Sequence, residues 1–157
     1  MVGIGYDIHR FESGTYFILG GEKIESEMAV VAHSDGDVLY HALCDCLLGA
    51  AGLGDIGEHF PDNDITYKNM DSSELVKIVM KMLTVQKLRI VNIDATILLE
   101  KPKILSYKEK MKKNISSLCY LPVEKVNIKA TTNERVGFIG RGEGIAAICV
   151  CEIQPLI

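Results

Sequence analysis

The sequence lacks the features that would assign it to several common classes of protein. No apolar stretch is long enough to cross a membrane, and the opening residues, MVGIGYDIHR, do not resemble a signal peptide. Basic residues are not in excess, since 17 Lys and Arg against 21 Asp and Glu give a net charge of −4. That balance argues against nonspecific binding to nucleic acid or to an anionic membrane. Any anionic ligand must therefore be held by local donors or metal ions.

The five cysteines form no C-x-x-C pair, and their number is odd. Cys149 and Cys151 lie in an apolar run, where a strand would point both side chains to one face. This pattern favours buried thiols over a disulfide or a zinc–thiolate site. We therefore expect a reducing compartment, which would be the bacterial-type cytoplasm, or a plastid if a targeting segment has been removed.

Two common catalytic signatures are also missing. The glycine-rich stretch 137–144 is not followed by the Gly-Lys-Ser/Thr of a phosphate-binding P-loop, although its Arg141 is a candidate anion ligand. That stretch is equally consistent with a tight connection. Neither Ser34 nor any cysteine has a local base that would activate it as a nucleophile. If the protein is an enzyme, its substrate supplies the nucleophile.

The length of 157 residues and the apolar content of 48% suit one compact domain, residues 1–157. No repeat, low-complexity tract or linker divides it. The periodicities predict, in order, a strand at 1–9, a hairpin near Phe17–Gly21, a helix at 37–51, a helix starting near Asp71, a strand at 91–99, a helix at 106–118, and strands at 126–130 and 145–153. The start near Asp71 is indicated by the capping-box pattern Asp71-Ser72-Ser73-Glu74. We expect an α+β fold, a two-layer sandwich in which a mixed four-stranded sheet carries helices on one face, plus a small β-hairpin. The intervening segment 52–69 is predicted to be a long functional loop.

Asp7, His9 and His41 form a candidate zinc site. Asp7 and His9 are two residues apart on a predicted strand, so their side chains project to the same side. Two imidazoles and one carboxylate are a known zinc ligand set that leaves a fourth position open. The alternative for His41 is a solvated or core histidine.

The predicted helix carries carboxylates one turn before and after His41. Asp37, His41 and Asp45 recur at i, i+4 and i+8, so Asp37 or Asp45 could orient the imidazole. A charged solvent face is the alternative, although this helix is otherwise nearly uncharged.

Two further segments carry groups suited to phosphate. His33 and Ser34 precede the helix, where Ser34 or Asp35 could cap it and the free amides could cradle a phosphate. A plain capping turn explains that segment equally well. Residues 130–134 place hydroxyls beside Glu134 at a strand end, and a carboxylate among phosphates requires a cation between them.

Several motifs occur in a fixed order: D-I-H at 7–9, H-S-D-G-D at 33–37, D-I-G at 55–57, F-P-D at 60–62, K-A-T-T at 129–132 and G-F-I-G-R-G-E-G at 137–144. Together they resemble the 2-C-methyl-D-erythritol 2,4-cyclodiphosphate synthases of the non-mevalonate isoprenoid pathway. The resemblance spans almost the whole chain. It implies conversion of 4-diphosphocytidyl-2-C-methyl-D-erythritol 2-phosphate to the cyclic diphosphate with release of CMP. It also implies a homotrimer with active sites between subunits.

The resemblance also implies a role for each matching residue. Asp7, His9 and His41 would bind Zn²⁺, and Glu134 would bind a second ion, Mg²⁺ or Mn²⁺, that bridges the diphosphate. His33 and Thr132 match transition-state stabilisers. The implied substrate contacts are Ser34, Asp55, Ile56, Gly57, Phe60, Pro61, Asp62, Asn63, Asp64, Leu99, Glu100, Lys101, Pro102, Lys103, Ile104, Leu105, Ala130, Thr131, Asn133, Phe138 and Arg141. Of these, Phe138 and Arg141 would face substrate phosphate or an isoprenoid diphosphate in a central cavity.

The chain departs from the usual sequence of the family at Asn133 and at Glu100-Lys101. These departures affect the expected nucleotide contacts but not the expected reaction. Two other functions remain open at this point. A zinc-dependent phosphohydrolase would use bound water as the nucleophile. A non-catalytic trimer would simply bind isoprenoid diphosphates, but it would have no need of an open metal site.

Overall fold

The computed structural model describes residues 1–61 and 63–157. The strands are β1 (Val2–Ser13), β2 (Tyr16–Leu19), β3 (Glu22–Glu25), β4 (Met28–Val30), β5 (Leu88–Leu98), β6 (Val126–Thr131) and β7 (Gly144–Pro155). The helices are α1 (Val38–Ala51), α2 (Ile56–His59), α3 (Ser72–Val85), α4 (Lys108–Leu118) and α5 (Gly137–Gly140). Short 3₁₀ segments occupy Ile65–Tyr67, Leu105–Tyr107 and Val123–Lys125.

The main sheet has five strands in the order β4-β1-β7-β5-β6, and β2 and β3 form a separate hairpin. Strand β7 pairs antiparallel with both β1 and β5, whereas β5 and β6 are parallel. The mixed α+β fold and the hairpin are as predicted, but the expectation of four strands in the sheet was wrong. The fifth strand, β4, pairs with the end of β1 through only three residues, which is too short a run to show an alternating pattern.

One face of the sheet packs against helices, and β1 shows how closely. Gly3 and Gly5 are buried, while Val2, Ile4 and Tyr6 between and beside them are exposed. A Cβ added at Gly3 would overlap the carbonyl oxygen of Cys46, and one at Gly5 would overlap that of Ala42. Glycine therefore lets the backbones of β1 and α1 approach directly. This close approach sets His41 of α1 beside Asp7 and His9 of β1.

Asp37 caps the N-terminus of helix α1, where its side chain accepts a hydrogen bond from the Tyr40 amide. The helix ends at Gly52, which adopts a left-handed conformation with φ of 68°. The predicted span is confirmed, but the suggested caps Ser34 and Asp35 were wrong. Ser34 accepts a bond from the Gly36 amide and so stabilises the preceding turn. Asp71 caps α3 as the capping pattern indicated.

The expected long loop at 52–69 contains local structure in its described residues. Asp55 caps the short helix α2, and Asp64 caps the 3₁₀ segment Ile65–Tyr67. These Asx-type caps stabilise single turns that are too short to show a helical period. The described residues of this segment therefore form a series of short, capped turns.

All five cysteines are free and buried, as expected. No helix within residues 1–61 and 63–157 combines the length and the apolar character that a membrane span requires.

Candidate metal centre

Asp7, His9 and His41 meet where β1 packs against α1. Asp7 Oδ2 lies 2.9 Å from His9 Nε2 and 3.0 Å from His41 Nδ1. The two imidazole nitrogens are 3.2 Å apart, and the rings meet edge to face at 70°. All three side chains are partly buried. Two residues on a strand and one on a helix thus present three ligand atoms to a single point.

These distances fit a tetrahedral zinc ion. With metal–ligand distances of about 2.0–2.1 Å, the ligand atoms of such a site lie about 3.3 Å from one another. The observed separations of 2.9, 3.0 and 3.2 Å are close to that value. Among the described residues, no fourth His, Cys, Asp or Glu joins the group. The protein could therefore hold a metal ion and leave a coordination position for another ligand.

Charge at this point favours a cation. Burial raises the pKa of the Asp7 carboxyl, but hydrogen bonds and charge from His41 and His9 outweigh burial and lower it to about 2. Burial would lower the pKa of His41, but the hydrogen bond to Asp7 and the Asp7 charge raise it above its ordinary value. Asp7 is thus an anion at any physiological pH, available to a proton on the imidazoles or to a metal.

The structure gives Asp37 and Asp45 partners other than the imidazole of His41. Asp37 is fully buried and accepts bonds from the Gly20 and Gly21 amides at 2.9 and 2.8 Å. Asp45 accepts from the Ile56 amide at 2.8 Å. Neither carboxylate is among the hydrogen-bond partners of the His41 ring, which are Asp7, His9 and Ser72. The expectation that either one orients His41 is corrected by these contacts: Asp37 anchors α1 to the hairpin, and Asp45 anchors it to α2.

The second ring nitrogen of His41, Nε2, has Ser72 at the start of α3 as its hydrogen-bond partner. Ser72 Oγ lies 3.0 Å from His41 Nε2 and also makes a short contact with Asp35 Oδ1. Sequence reasoning treated Ser72 only as part of a capping box and Asp35 only as a possible cap. Since Ser72 is 31 positions from His41 and 37 from Asp35, no local spacing could have connected them.

A cavity of about 410 Å³ opens beside the three ligands. Its lining includes predicted site residues on two sides: His33 and Ser34 before α1, and Ile56, Gly57, Phe60, Pro61 and Asp64 from the 52–69 segment. Tyr67 and Lys68 also line it and were not anticipated. Lys68 adds a cationic side chain to the lining of the cavity. The three candidate metal ligands and six of the 21 expected substrate contacts therefore share one cavity.

Two expected contacts in this segment are placed differently, and a third lies outside the described residues. Asp55 accepts a bond from the Glu58 amide as the cap of α2 and does not line the cavity. Asn63 is exposed and outside the lining. Asp62 lies outside the described residues.

The remaining predicted residues lie elsewhere on the chain. Across the sheet, Asp7 pairs with Ala147, Ala147 with Ile97, and Ile97 with Ala130. Three strand spacings of about 4.8 Å put Ala130 roughly 14 Å from Asp7. None of residues 99–105, 130–134, 138 and 141 is among the residues that line the cavity. Within one chain, the two halves of the expected site are therefore separate.

In the second half of the expected site, residues 99–105 and 130–134, the Glu100 side chain connects the two segments. Its carboxylate accepts bonds from the Asn133 amide at 2.8 Å and from the Arg135 amide at 3.4 Å. The Thr132 hydroxyl donates to Glu134 Oε1 at 3.1 Å. The side chain of Glu100 and the backbone of Asn133, the positions of two noted departures, are thus joined by a contact that stabilises a single turn. That turn presents a hydroxyl and a carboxylate side by side, both exposed.

Of the expected nucleotide contacts, Leu99 and Ile104 are buried in the core, whereas Lys101, Lys103 and Leu105 are exposed. Phe138 is exposed on α5, and Arg141 Nε donates to Glu143 Oε1 at 2.7 Å. An anion that approached Arg141 would have to compete with that carboxylate.

Comparisons with known proteins agree along the whole chain. Residues 1–154 match the YgbB family. A 2-C-methyl-D-erythritol 2,4-cyclodiphosphate synthase from Chloroherpeton thalassium is 49% identical over 155 residues, which is 99% of each chain.

Solved structures show the same fold. The bifunctional IspDF from Campylobacter jejuni matches with a TM-score of 0.94 and 42% identity, covering 98% of this chain and 42% of that one. IspF from Plasmodium falciparum, solved as a CDP complex, matches with a TM-score of 0.86 and 31% identity, covering 98% and 95%. The chain thus corresponds to less than half of the bifunctional protein and to nearly all of the other.

Proposed function

The chain belongs to the YgbB family of cyclodiphosphate synthases, CMP-forming lyases of isoprenoid biosynthesis, and from this premise we propose its reaction. It converts 4-diphosphocytidyl-2-C-methyl-D-erythritol 2-phosphate to 2-C-methyl-D-erythritol 2,4-cyclodiphosphate and CMP. The observation that carries the proposal is the convergence of Asp7, His9 and His41 on one point in a cavity. A protein that only bound a diphosphate would not require an open three-ligand site.

Asp7, His9 and His41 are the proposed zinc ligands. Zinc held there would supply Lewis-acid polarisation of a diphosphate oxygen. Glu134 is the proposed ligand of a second ion, Mg²⁺ or Mn²⁺, because hard divalent cations prefer carboxylate and phosphate oxygens.

The substrate's 2-phosphate attacks its own β-phosphorus, so the protein need not supply a nucleophile. The contribution of the chain is to bend the substrate into reach and to stabilise charge on the transferring phosphoryl group. His33 and Ser34 lie at the cavity beside the metal ligands, where they can donate to phosphate oxygens. The Thr132 hydroxyl is the corresponding proposed donor toward the leaving CMP.

The two halves of the site divide the substrate between them. Ile56, Gly57, Phe60 and Pro61 form the wall beside the metal ligands and are proposed to hold the methylerythritol part. Residues 99–105 and 130–133 are proposed to hold the cytidine part. The CDP complex of the P. falciparum relative supports a nucleotide subsite.

We further propose that the chain functions as a homotrimer in which each site is completed by the neighbouring copy. The separation of Ala130 from Asp7 by three strand spacings supports this, because one chain alone cannot close both halves around a substrate. The helix-free face of the sheet supports it as well. Val2 and Ile4 of β1 are each 70% exposed there, and a contiguous apolar surface of this kind is typical of a subunit interface. The free, buried cysteines support action in a reducing cytoplasm.

The decisive experiment follows CMP release from the diphosphocytidyl substrate, with and without a zinc chelator, while ³¹P NMR identifies the phosphorus product. We expect CMP and cyclic diphosphate in equal amounts, with both abolished by chelation and by His41→Ala. His59→Ala is the matched control, because the His59 ring contacts the Leu53 carbonyl and does not belong to the triad of Asp7, His9 and His41. The zinc content of this variant should therefore be unchanged. A linear product or inorganic phosphate would instead indicate a phosphohydrolase, and absence of any turnover would indicate a binding protein.

A further inference from the structure

Ser72 connects the metal centre to a carboxylate outside it. Its side chain is fully buried, and its oxygen touches His41 Nε2 at 3.0 Å and Asp35 Oδ1. The Ser72 amide donates to the other carboxylate oxygen, Asp35 Oδ2, at 3.0 Å. The opposite nitrogen of the same ring, His41 Nδ1, faces Asp7 and His9. A chain of contacts therefore runs from Asp35 through Ser72 to the ring and on to the metal ligands.

The direction of these hydrogen bonds follows from the supply of protons. A serine hydroxyl has one hydrogen, and a carboxylate can only accept. Ser72 must therefore donate to Asp35, which leaves its oxygen free to accept from His41 Nε2–H. A neutral imidazole with hydrogen on Nε2 carries its lone pair on Nδ1. That lone pair points at Asp7 Oδ2 across 3.0 Å, an arrangement that a cation between the two atoms stabilises.

We propose that Asp35 and Ser72 are positioning residues that hold His41 in the form with hydrogen on Nε2, so that Nδ1 is the metal-binding nitrogen. The pair also fixes the plane of the ring, because Ser72 is held by two bonds to Asp35, one from its side chain and one from its backbone. This is not helix capping, since the cap of α3 is Asp71. The inference rests on the proposed function only in naming zinc as the ion.

Ser72→Ala and Asp35→Asn test the two links separately. Alanine leaves His41 Nε2–H without an acceptor. Asparagine at position 35 reverses the donor and acceptor roles along this series of hydrogen bonds. Its carbonyl must still accept from the Ser72 amide, which turns its NH₂ group toward Ser72 Oγ. The hydroxyl then donates to Nε2, and the hydrogen moves to Nδ1, where it blocks the metal. Partners of this kind are worth about 10–100-fold in metal affinity, so both variants should bind zinc more weakly by that factor in a chelator competition.

Ser72→Thr keeps the hydroxyl and should restore zinc affinity to near the wild-type value. Ser73→Ala removes a neighbouring hydroxyl from the same turn of α3 and should leave the affinity unchanged. If Ser72→Ala fails to fold, the comparison of Asp35→Asn with Ser72→Thr decides the question, since Asp35→Asn preserves the side-chain volume and Ser72→Thr adds one methyl group while it keeps the hydroxyl. Zinc affinity unchanged in Ser72→Ala, or lost equally in Ser73→Ala, would overturn the proposal.

Proton NMR provides a readout that depends on neither turnover nor zinc. At a pH where the metal-free ring of His41 carries both protons, the Nε2–H held by Ser72 should give a slowly exchanging downfield signal, assigned by its loss in His41→Gln. The signal should vanish in Ser72→Ala and persist in Ser72→Thr. Its persistence in Ser72→Ala would refute the proposed contact even in an active enzyme. Its expected behaviour in a protein that forms no cyclic diphosphate would leave the inference standing and refute the function.

Discussion

At the scale of single residues, Asp7 is the group on which the metal centre depends, because one of its oxygens touches both imidazoles. The same contacts lower the pKa of Asp7 to about 2 and raise the pKa of His41. Without a metal, the raised pKa of His41 extends the pH range over which this cluster of three side chains retains a proton. With a metal, that proton must leave. Proton binding and metal binding therefore compete at this point.

This competition predicts opposite effects of pH on two measurable quantities. Because the pKa of His41 in the folded protein lies above its ordinary 6.5, the folded metal-free protein binds the proton more tightly than the unfolded chain does. The resulting stabilisation is complete below pH 6.5 and is lost as the pH rises through the folded pKa. Over the same interval, zinc affinity should increase, since the proton no longer competes. Denaturant titrations of metal-free protein and chelator competitions across this pH range measure both trends.

Asp7→Asn is the control for the pH effect, because it removes the charge that raises the pKa of His41. In that variant the fall in the free energy of unfolding above pH 6.5 should largely disappear. Asp7 itself does not titrate in this window, since its pKa of about 2 keeps it ionised. A metal-free protein that became more stable as the pH rose through this interval would contradict the assignment.

Glu134 is the residue on which the proposed second ion depends. Its carboxylate is exposed and accepts a hydrogen bond from the Thr132 hydroxyl. Glu134→Gln preserves that contact but removes the charge, so the Mg²⁺ concentration for half-maximal activity should increase about tenfold or more. Glu124→Gln removes an equally exposed charge near β6 at the opposite end of that strand, and should leave the magnesium response unchanged. Equal responses in the two variants would remove Glu134 from this role.

At the scale of elements, the candidate metal centre forms because β1 packs directly on α1. Gly5→Ala would place a methyl group against the Ala42 carbonyl, and overpacking of this kind costs about 1–3 kcal/mol. It would also move α1 away from β1 and so separate His41 from Asp7. We expect an earlier urea midpoint for the metal-free protein and weaker zinc binding than in the wild type.

Gly49→Ala is the matched control within α1, because the added Cβ would have only the Ile4 carbonyl oxygen, at 4.0 Å, as a neighbour. Alanine is the better helix former by up to about 1 kcal/mol, so this variant should unfold at the same or a higher urea concentration. Opposite signs for the two glycines would confirm close packing at Gly5. Equal midpoints at one protein concentration would contradict it.

The elements that the sequence predicted well are those with a clear period. Helix α1 follows from the spacing of Leu39, Leu43 and Leu47, all of which are fully buried, and α3 follows from its capping pattern. Strand β4 was missed because three residues show no period. The Asp35–Ser72–His41 chain was missed for a different reason: it joins three segments through tertiary packing, and the local role of each residue gives no indication of it.

At the scale of the whole molecule, the resemblance implied sites shared between subunits, and within one chain the motif residues lie in two separate groups. The motif residues near Asp7 share a cavity with the metal ligands, while Thr132 and Glu134 lie across the sheet. Motif order along a chain contains no distances between strands, so the residues alone did not predict this separation, and only the resemblance implied it through sites between subunits. The separation and the exposed apolar face of β1 have the same proposed explanation, which is a neighbouring copy.

Mixed trimers test that explanation directly. His41→Ala and Thr132→Val chains, each inactive alone, are co-expressed with different affinity tags, and the trimers that carry both tags are purified. If every site takes its triad from one copy and Thr132 from the next, any mixed trimer has a single intact site. That site combines the intact triad of a Thr132→Val chain with the intact Thr132 of a neighbouring His41→Ala chain. Activity should then be about one third of wild type, whichever variant is present twice, because the ring is closed and each copy has one neighbour on each side.

Sites contained within one chain predict the opposite result, since no chain in these mixtures carries both intact residues, and activity should stay at the background of the parent variants. Trimers that combine two wild-type chains with one His41→Ala/Thr132→Val chain provide the reciprocal comparison. Shared sites leave one intact pairing of neighbours, so activity should be about one third, whereas self-contained sites leave two active chains and about two thirds. The two mixtures together separate a shared site from a loss of assembly, because a failure to assemble would yield no doubly tagged trimer to assay.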